Sequence, residues 1–350
     1  MPHLPKKSKH IAVFRLSAMG DVAMTVPVIR AFVEQNPDVK ITFVSRSFFK
    51  PFFENIKNVH FFDVDVKVRH KGFIGLLKLF FDLKKLNVDA FADLHNVLRS
   101  KIIRILFALN GTKTAFTDKG RKEKKQLIRA RNKIFKPLKT MFDRHVETFA
   151  KLGFFIDLSS PRFLEKAILS GEILSISGHK KDFKWIGIAP FAQYKSKVYP
   201  TDLMQDVIDG LAVNNQNKIF LFGGGIKEIA VLNQFAITKK NVIVIAGTLN
   251  LQNELRLISN LDVMLSMDSG NAHMGAMLGI PVITLWGATH PFAGFTPFNQ
   301  SLQNCLTSDK VLYPLLPTSV YGNKIVAGYE NAMRTISATH VIEKVVSILR

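Results

Sequence analysis

Residues 262–287, DVMLSMDSGNAHMGAMLGIPVITLWG, read as two buried strands joined by one short helix. An apolar run ends at Met267, and Asp268, Ser269 and Gly270 then make a turn. Asn271–Leu278 supplies about two helical turns of small residues. Gly279 and Ile280-Pro281 end them, because glycine accepts the left-handed backbone that follows a helix and proline cannot continue one. PVITLW, residues 281–286, makes the next strand. Such a strand-turn-helix presents unpaired N–H groups and the positive end of a helix dipole at the strand's carboxyl edge. An anion such as a diphosphate is stabilised there.

The rest of the chain supports the same architecture. Its 350 residues are 47% hydrophobic, enough for the cores of two ordinary domains. Strand-like runs at residues 10–16, 39–45, 59–64, 88–94 and 113–117 alternate with helical spacing at Asp21–Gln35, Gly72–Leu86 and Arg99–Leu109. The alternation restarts at Trp185: WIGIAPF, KIFLFGGG and NVIVIAG each precede a helical segment, and the opening stretch follows them. Strands and helices alternating at this spacing predict parallel sheets covered on both faces. The expectation is an α/β protein with an N-terminal domain over residues 1–160, a linker over 161–184, a C-terminal domain over 185–335 and a closing helix over 336–350.

Composition narrows the class. No apolar run reaches the ~18 to 20 residues needed to cross a bilayer. MPHLPKKSKH leads into the first strand without an apolar h-region or cleavage site, so a cytoplasmic protein is expected. The lone Cys305 excludes an intrachain disulfide framework and a cysteine-based metal site. The formal charge is +21, and between Lys119 and Lys139 there are ten Lys or Arg residues against one acid, Glu123. Such a segment attracts polyanions, whether anionic lipid headgroups, phosphorylated glycans or nucleic acid, or is simply a solvated face. With Phe135 its one aromatic and no recognition module in the chain, nucleic acid is disfavoured.

In open parallel sheets, ligands bind beyond the carboxyl ends of the strands, so the turns there hold the candidate residues. After the first strand come Gly20, read as permitting a tight turn, and Asp21, read as either a helix N-cap or a general base. WIGIAPF is followed by Lys195 and Lys197, which suit a phosphate or are plain solvated lysines. The Gly223–Gly225 turn carries Glu228 one turn into its helix, suited to ribose hydroxyls or simply exposed. Thr248 follows NVIVIAG and could line a base or ribose. In the opening stretch Asp268, Ser269, Gly270 and His273 can converge on one anion. The first turn lacks a GxGxxG fingerprint, which disfavours a dehydrogenase.

The sequence resembles glycosyltransferase family 9, the heptosyltransferase-like enzymes of lipopolysaccharide assembly. The matching pieces are RLSAMGDVAMTVPVIRA (15–31), DLHNVLRS (93–100), HVETFAKLG (145–153), IAPFAQYKSKVYP (188–200), LFGGGIKE (221–228) and MDSGNAHMGAMLGIPVITLWGATHP (267–291). The resemblance implies a GT-B fold, two Rossmann-like doubly wound domains facing across a cleft. It implies a nucleotide-sugar co-substrate, ADP-linked, on the C-terminal domain, an acceptor on the N-terminal domain, and no metal. Asp21 then resembles the catalytic base, and Lys197 the lysine that stabilises the departing diphosphate. Asp268, Ser269, Gly270 and His273 match the family's D-[TS]-G-x-x-H donor motif, and Glu228 is similar to its ribose-contacting acid. Tyr199 stands where the family usually has tryptophan, and Phe191 where it usually has glycine. The implied reaction is inverting transfer to a phosphorylated, lipid-linked glycan at the inner face of the cytoplasmic membrane, with 119–139 facing the anionic surface. The alternatives are transfer of another sugar, a sugar-nucleotide epimerase, and a non-catalytic nucleotide-sugar or polyanion-binding protein.

Overall fold

A computed structural model of the chain describes residues 9–350, so most of the N-terminal MPHLPKKSKH stretch lies outside the described residues. Two compact units emerge. The first comprises the described residues up to Gly120 together with Met141–Arg162; the second comprises Arg121–Thr140 and Phe163–Arg350.

The first unit contains β1 (His10–Phe14), α1 (Met19–Ala23), α2 (Thr25–Gln35), β2 (Lys40–Ser45), β3 (Val59–Asp63), α3 (Gly72–Lys84), β4 (Ala90–Asp93), α4 (Leu98–Leu109) and β5 (Lys113–Phe116). The basic α5 (Arg121–Ile128) belongs to the second unit, and α6 (Met141–Lys151) returns to the first. All five strands are parallel in the order β3-β2-β1-β4-β5. The chain moves outward from β1 to β3, then crosses back to place β4 on the other side of β1. Ile11 to Phe14 are fully buried, as expected for a central parallel strand covered on both faces. On one face, Leu76, Leu79, Phe80 and Leu83 of α3 and Ile103 and Phe107 of α4 pack on Phe14 and Phe91.

The expected helix over Asp21–Gln35 is instead two, meeting at Met24. Pro27 explains the break: it has no N–H to donate to the carbonyl four residues back, and its ring crowds that carbonyl. FFKPFF, too proline-broken for a long helix, forms a 3₁₀ segment over Ser47–Phe53.

The second unit adds α7 (Gly171–Ser177), β6 (Lys184–Ala189), α8 (Thr201–Ala212), β7 (Asn217–Leu221), α9 (Ile226–Ala236), β8 (Val242–Val244), α10 (Leu251–Ile258), β9 (Val263–Met267), α11 (Gly270–Met277), β10 (Val282–Trp286), β11 (Cys305–Thr307) and α12 (Ala338–Leu349). Its six strands are parallel in the order β11-β10-β9-β6-β7-β8. The order again reverses beside the first strand, here between β6 and β9. β11 sits within the proline- and polar-rich stretch 292–326; three residues at a sheet edge carry no readable strand pattern.

The basic segment is tied into this unit. Lys124 is buried with its ammonium 4.0 Å above the Phe295 ring. Leu127 and Leu138 share a small core with Ala293. Lys133 donates to the carbonyls of Leu315 and Pro317, at 2.5 and 2.8 Å. Part of the positive charge that marks the segment in the sequence therefore has internal partners.

Candidate functional site

Each sheet reverses its strand order once, and most of the candidate residues lie beyond those two points, where diverging loops leave a crevice in open parallel sheets. In the first unit the crevice lies past β1 and β4. Arg15 closes β1, is almost fully buried, and spans the crevice: its Nη1 donates to the Leu94 carbonyl at 2.6 Å and its Nε to the Ser17 carbonyl at 2.8 Å. Its Nη2 pairs with Asp21 Oδ2 at 2.5 Å, while the Asp21 side chain remains 31% exposed. The same oxygen accepts the Ala18 N–H at 3.1 Å. Asp21 is thus not the N-cap. It is the third residue of α1, reaching back to the cap, with one oxygen fixed by a buried guanidinium. Gly20 lies within α1 rather than in a tight turn.

Asp93 ends β4 and closes the next turn by accepting the His95 and Asn96 N–H groups at 3.0 and 2.6 Å. This turn sets His95 with Nε2 3.5 Å from Ser17 Oγ. Burial, followed by the charges of Arg15, Lys119 and Arg99, pushes the His95 imidazole down to about 3, with Asp21 pulling the other way. At neutral pH it is an uncharged donor and acceptor. A cavity of about 500 Å³ opens here, lined by Ser17, Arg46, His95 and Arg99 and by apolar Leu16, Leu76 and Ile102. A pocket with two guanidiniums and apolar walls suits an anion that also carries apolar surface.

In the second unit the crevice lies past β6 and β9, and the sequence candidates Lys197 and Asp268 meet there. Lys197 Nζ is 3.1 Å from Asp268 Oδ2, with both side chains largely buried. Thr289, in the turn after β10, donates its hydroxyl to the same oxygen at 2.8 Å. Two strand-end loops are locked together behind this cluster: the Ala288 N–H donates to the Ser196 carbonyl at 3.0 Å. A Cβ at Gly287 would lie 2.4 Å from that carbonyl oxygen, so only glycine permits the approach.

Ser269 caps α11 with extended backbone, and its side chain makes no capping bond to the helix. Its hydroxyl instead pairs with Ser266 at 3.1 Å. The first turn, beginning at Gly270, thus presents N–H groups that no side chain caps. His273 is buried on the same helix.

Glu228 and Thr248 stand beyond β7 and β8, farther along the same edge. Glu228 Oε2 accepts the Gly224 N–H at 2.8 Å, so one oxygen braces its own glycine turn. Thr248 donates to the Ile245 carbonyl at 2.6 Å. Phe191 fills the space beside Gly223, its ring 3.3 Å from where a Cβ would stand. Tyr199 does not line the crevice: it is buried in the core, its hydroxyl donating to the Ile336 carbonyl at 2.6 Å.

The model for "Glycosyltransferase family 9 (heptosyltransferase)" matches residues 76–314, more than half of the chain. The chain belongs to glycosyltransferase family 9. Among curated relatives, it is 25% identical over 303 residues to the lipopolysaccharide core heptosyltransferase OpsX of Haemophilus influenzae, covering 85% of this chain and 84% of that one. Among solved structures, a family 9 glycosyltransferase from Veillonella parvula superposes with a TM-score of 0.75 at 20% identity, covering 97% of each chain. The Escherichia coli heptosyltransferase WaaC with ADP gives 0.65 at 19% identity, again over 97% of each. These neighbours share the two-sheet α/β architecture, and the fold of this glycosyltransferase is GT-B.

Arg15, Arg46, His95, Arg99 and Thr289 were not singled out from the sequence of this glycosyltransferase. A charged residue terminating an otherwise apolar strand, as in IAVFRL, is the signal that could have found Arg15. Thr289 has no comparable local signal, because its partner lies 21 residues away.

Proposed function

We propose that this glycosyltransferase transfers a heptose, with inversion and without a metal, from ADP-heptose to a phosphorylated lipid-linked acceptor of the lipopolysaccharide inner core. The observation that carries the donor half is the Lys197–Asp268–Thr289 cluster at the strand-order reversal of the second unit, beside the uncapped start of α11. A nucleoside diphosphate leaving group gains negative charge as the glycosidic bond breaks. A preorganised ammonium and helix N–H groups stabilise that charge without reorganising. Asp268 and Thr289 hold the lysine in place, while Glu228 and Thr248 lie along the same edge for ribose and base. The relatives named for heptosyl transfer, and the neighbour bound to ADP, support the donor assignment.

In the first unit, Asp21 accepts the proton of the attacking hydroxyl, with Arg15 fixing the carboxylate. Arg46 and Arg99 receive acceptor phosphate. The base and the leaving-group site thus come from different units, so each is testable alone. In calorimetry, ADP should bind more tightly than UDP or GDP, and Asp21→Ala should leave ADP binding intact while reducing product formation from ADP-heptose at least ~10²-fold. Full turnover by Asp21→Ala would remove it as the base. A protein that binds ADP but forms no product with any acceptor would be a binding protein.

A further inference from the structure

Among the described residues, the outer face of α3 and α4 has no partner, and its chemistry specifies one. The inner faces of the two helices pack side by side on the first sheet. Facing outward, Phe73, Ile74 and Phe81 of α3 and Leu98, Ile105 and Leu109 of α4 are 54% to 81% exposed. Helical spacing makes these continuous stripes rather than scattered residues: 73, 77 and 81 align on α3, and 98, 105 and 109 on α4. The stripes are bordered by exposed Lys71, Lys78, Lys84, Lys85 and Lys101. The only acid on either helix, Asp82, is engaged by Arg69 at 2.7 Å.

We propose that this face docks on an anionic lipid bilayer. Exposed aromatic and aliphatic side chains bordered by lysines match an interface where acyl chains lie beneath negative headgroups. A second copy of the chain fits poorly, since a two-fold contact would bring like lysine rows together. The cavity that contains His95 is lined in part by Gly72, Leu98 and Arg99, at the N-terminal ends of the same two helices. A bilayer against this face therefore lies beside the proposed acceptor cavity. The proposal deepens the reading of a lipid-linked acceptor, and it moves the expected membrane contact from 119–139 to α3 and α4.

The test is flotation of the full chain with vesicles of phosphatidylethanolamine alone or mixed with phosphatidylglycerol. Phe81→Gln/Ile105→Gln/Leu109→Gln keeps good helix formers on the surface; Lys78→Glu/Lys101→Glu probes charge separately. The expected result is binding to phosphatidylglycerol vesicles that falls at least tenfold in either variant and persists when Lys122, Lys125 and Arg129 are neutralised. Turnover of a delipidated acceptor should stay at the parent level, which also shows that the variants fold. Parent protein that ignores anionic vesicles, or variants that bind as the parent does, would overturn the docking face and leave the transfer reading standing. A dimer in sedimentation that the glutamine variant dissolves would assign the face to self-association instead. Vesicle binding without any transferase activity would sink the transfer reading alone.

Discussion

At the scale of single residues, the two crevices differ in how their charges are held. Lys197 is balanced by Asp268 before any ligand arrives, so a diphosphate adds to a preset ammonium. Lys197→Ala is expected to lower kcat by about 10²–10³ while changing ADP affinity far less, as measured by steady-state rates and calorimetry. Weakened ADP affinity with kcat unchanged would mean that the lysine serves ground-state binding only. His95 makes a pH prediction whose direction is set by its pKa, near 3 in the folded state against 6.5 when unfolded. The unfolded chain takes up a proton below pH 6.5 that the folded chain refuses, so stability falls with pH through this window. Between pH 8 and pH 5 the contribution is about 2 kcal/mol, and His95→Gln should remove that part of the slope in urea titrations. The positions of Lys197 and Asp268 were legible because each follows a strand end in a readable turn, and that of Asp21 because it lies in the first helix after β1. Thr289 was not, since its partner Asp268 lies 21 residues away and is brought close by the pairing of β9 and β10, and Arg15 was passed over although it follows an apolar strand.

At the scale of elements, the KSKVYP segment is held by its tyrosine. Tyr199 is anchored through its hydroxyl to Ile336, in the stretch before α12, so it tethers the Lys197 loop to the core. Burial pushes its phenol up to about 12, keeping it a neutral donor. Tyr199→Phe leaves a buried carbonyl without its donor and should cost about 1–3 kcal/mol, read as a lower melting temperature with donor affinity nearly unchanged. A melting temperature equal to the parent's would mean that water or backbone replaces the bond. Continuous apolar runs gave the position of the longer strands to within a residue or two, as for β1, β2 and β9. The division at Met24 and the three-residue β11 escaped them, because one depends on a proline's missing donor and the other on pairing with β10.

At the scale of the whole molecule, the sequence announced two parallel sheets and a large positive charge, and the run of charge along the chain does not by itself show where that charge lies on the surface. The densest run of Lys and Arg is partly absorbed by Phe295 and by the Leu315 and Pro317 carbonyls, whereas the sparser lysines of α3 and α4 border an apolar surface. Density along a chain does not reveal which charges fold back on it. With a formal charge of +21, binding to anionic vesicles should weaken steeply as salt rises from 0.05 to 0.5 M, roughly where the screening length shrinks below the size of a headgroup layer. Binding that survives high salt while being lost in the glutamine variant would show that apolar insertion, not charge, dominates.

The single cysteine gives this chemistry a practical handle. Cys305 lies in the edge strand β11, where Thr284 donates its hydroxyl to the sulfur at 3.4 Å and burial pushes the thiol up. A thiol that resists ionisation reacts slowly with maleimides. The native chain is therefore nearly silent to such reagents, and Ala108→Cys on the exposed side of α4 would react far faster. A polarity-sensitive fluorophore placed there would brighten on contact with lipid and stay dim in water, turning the orientation of the enzyme on a bilayer into an optical signal.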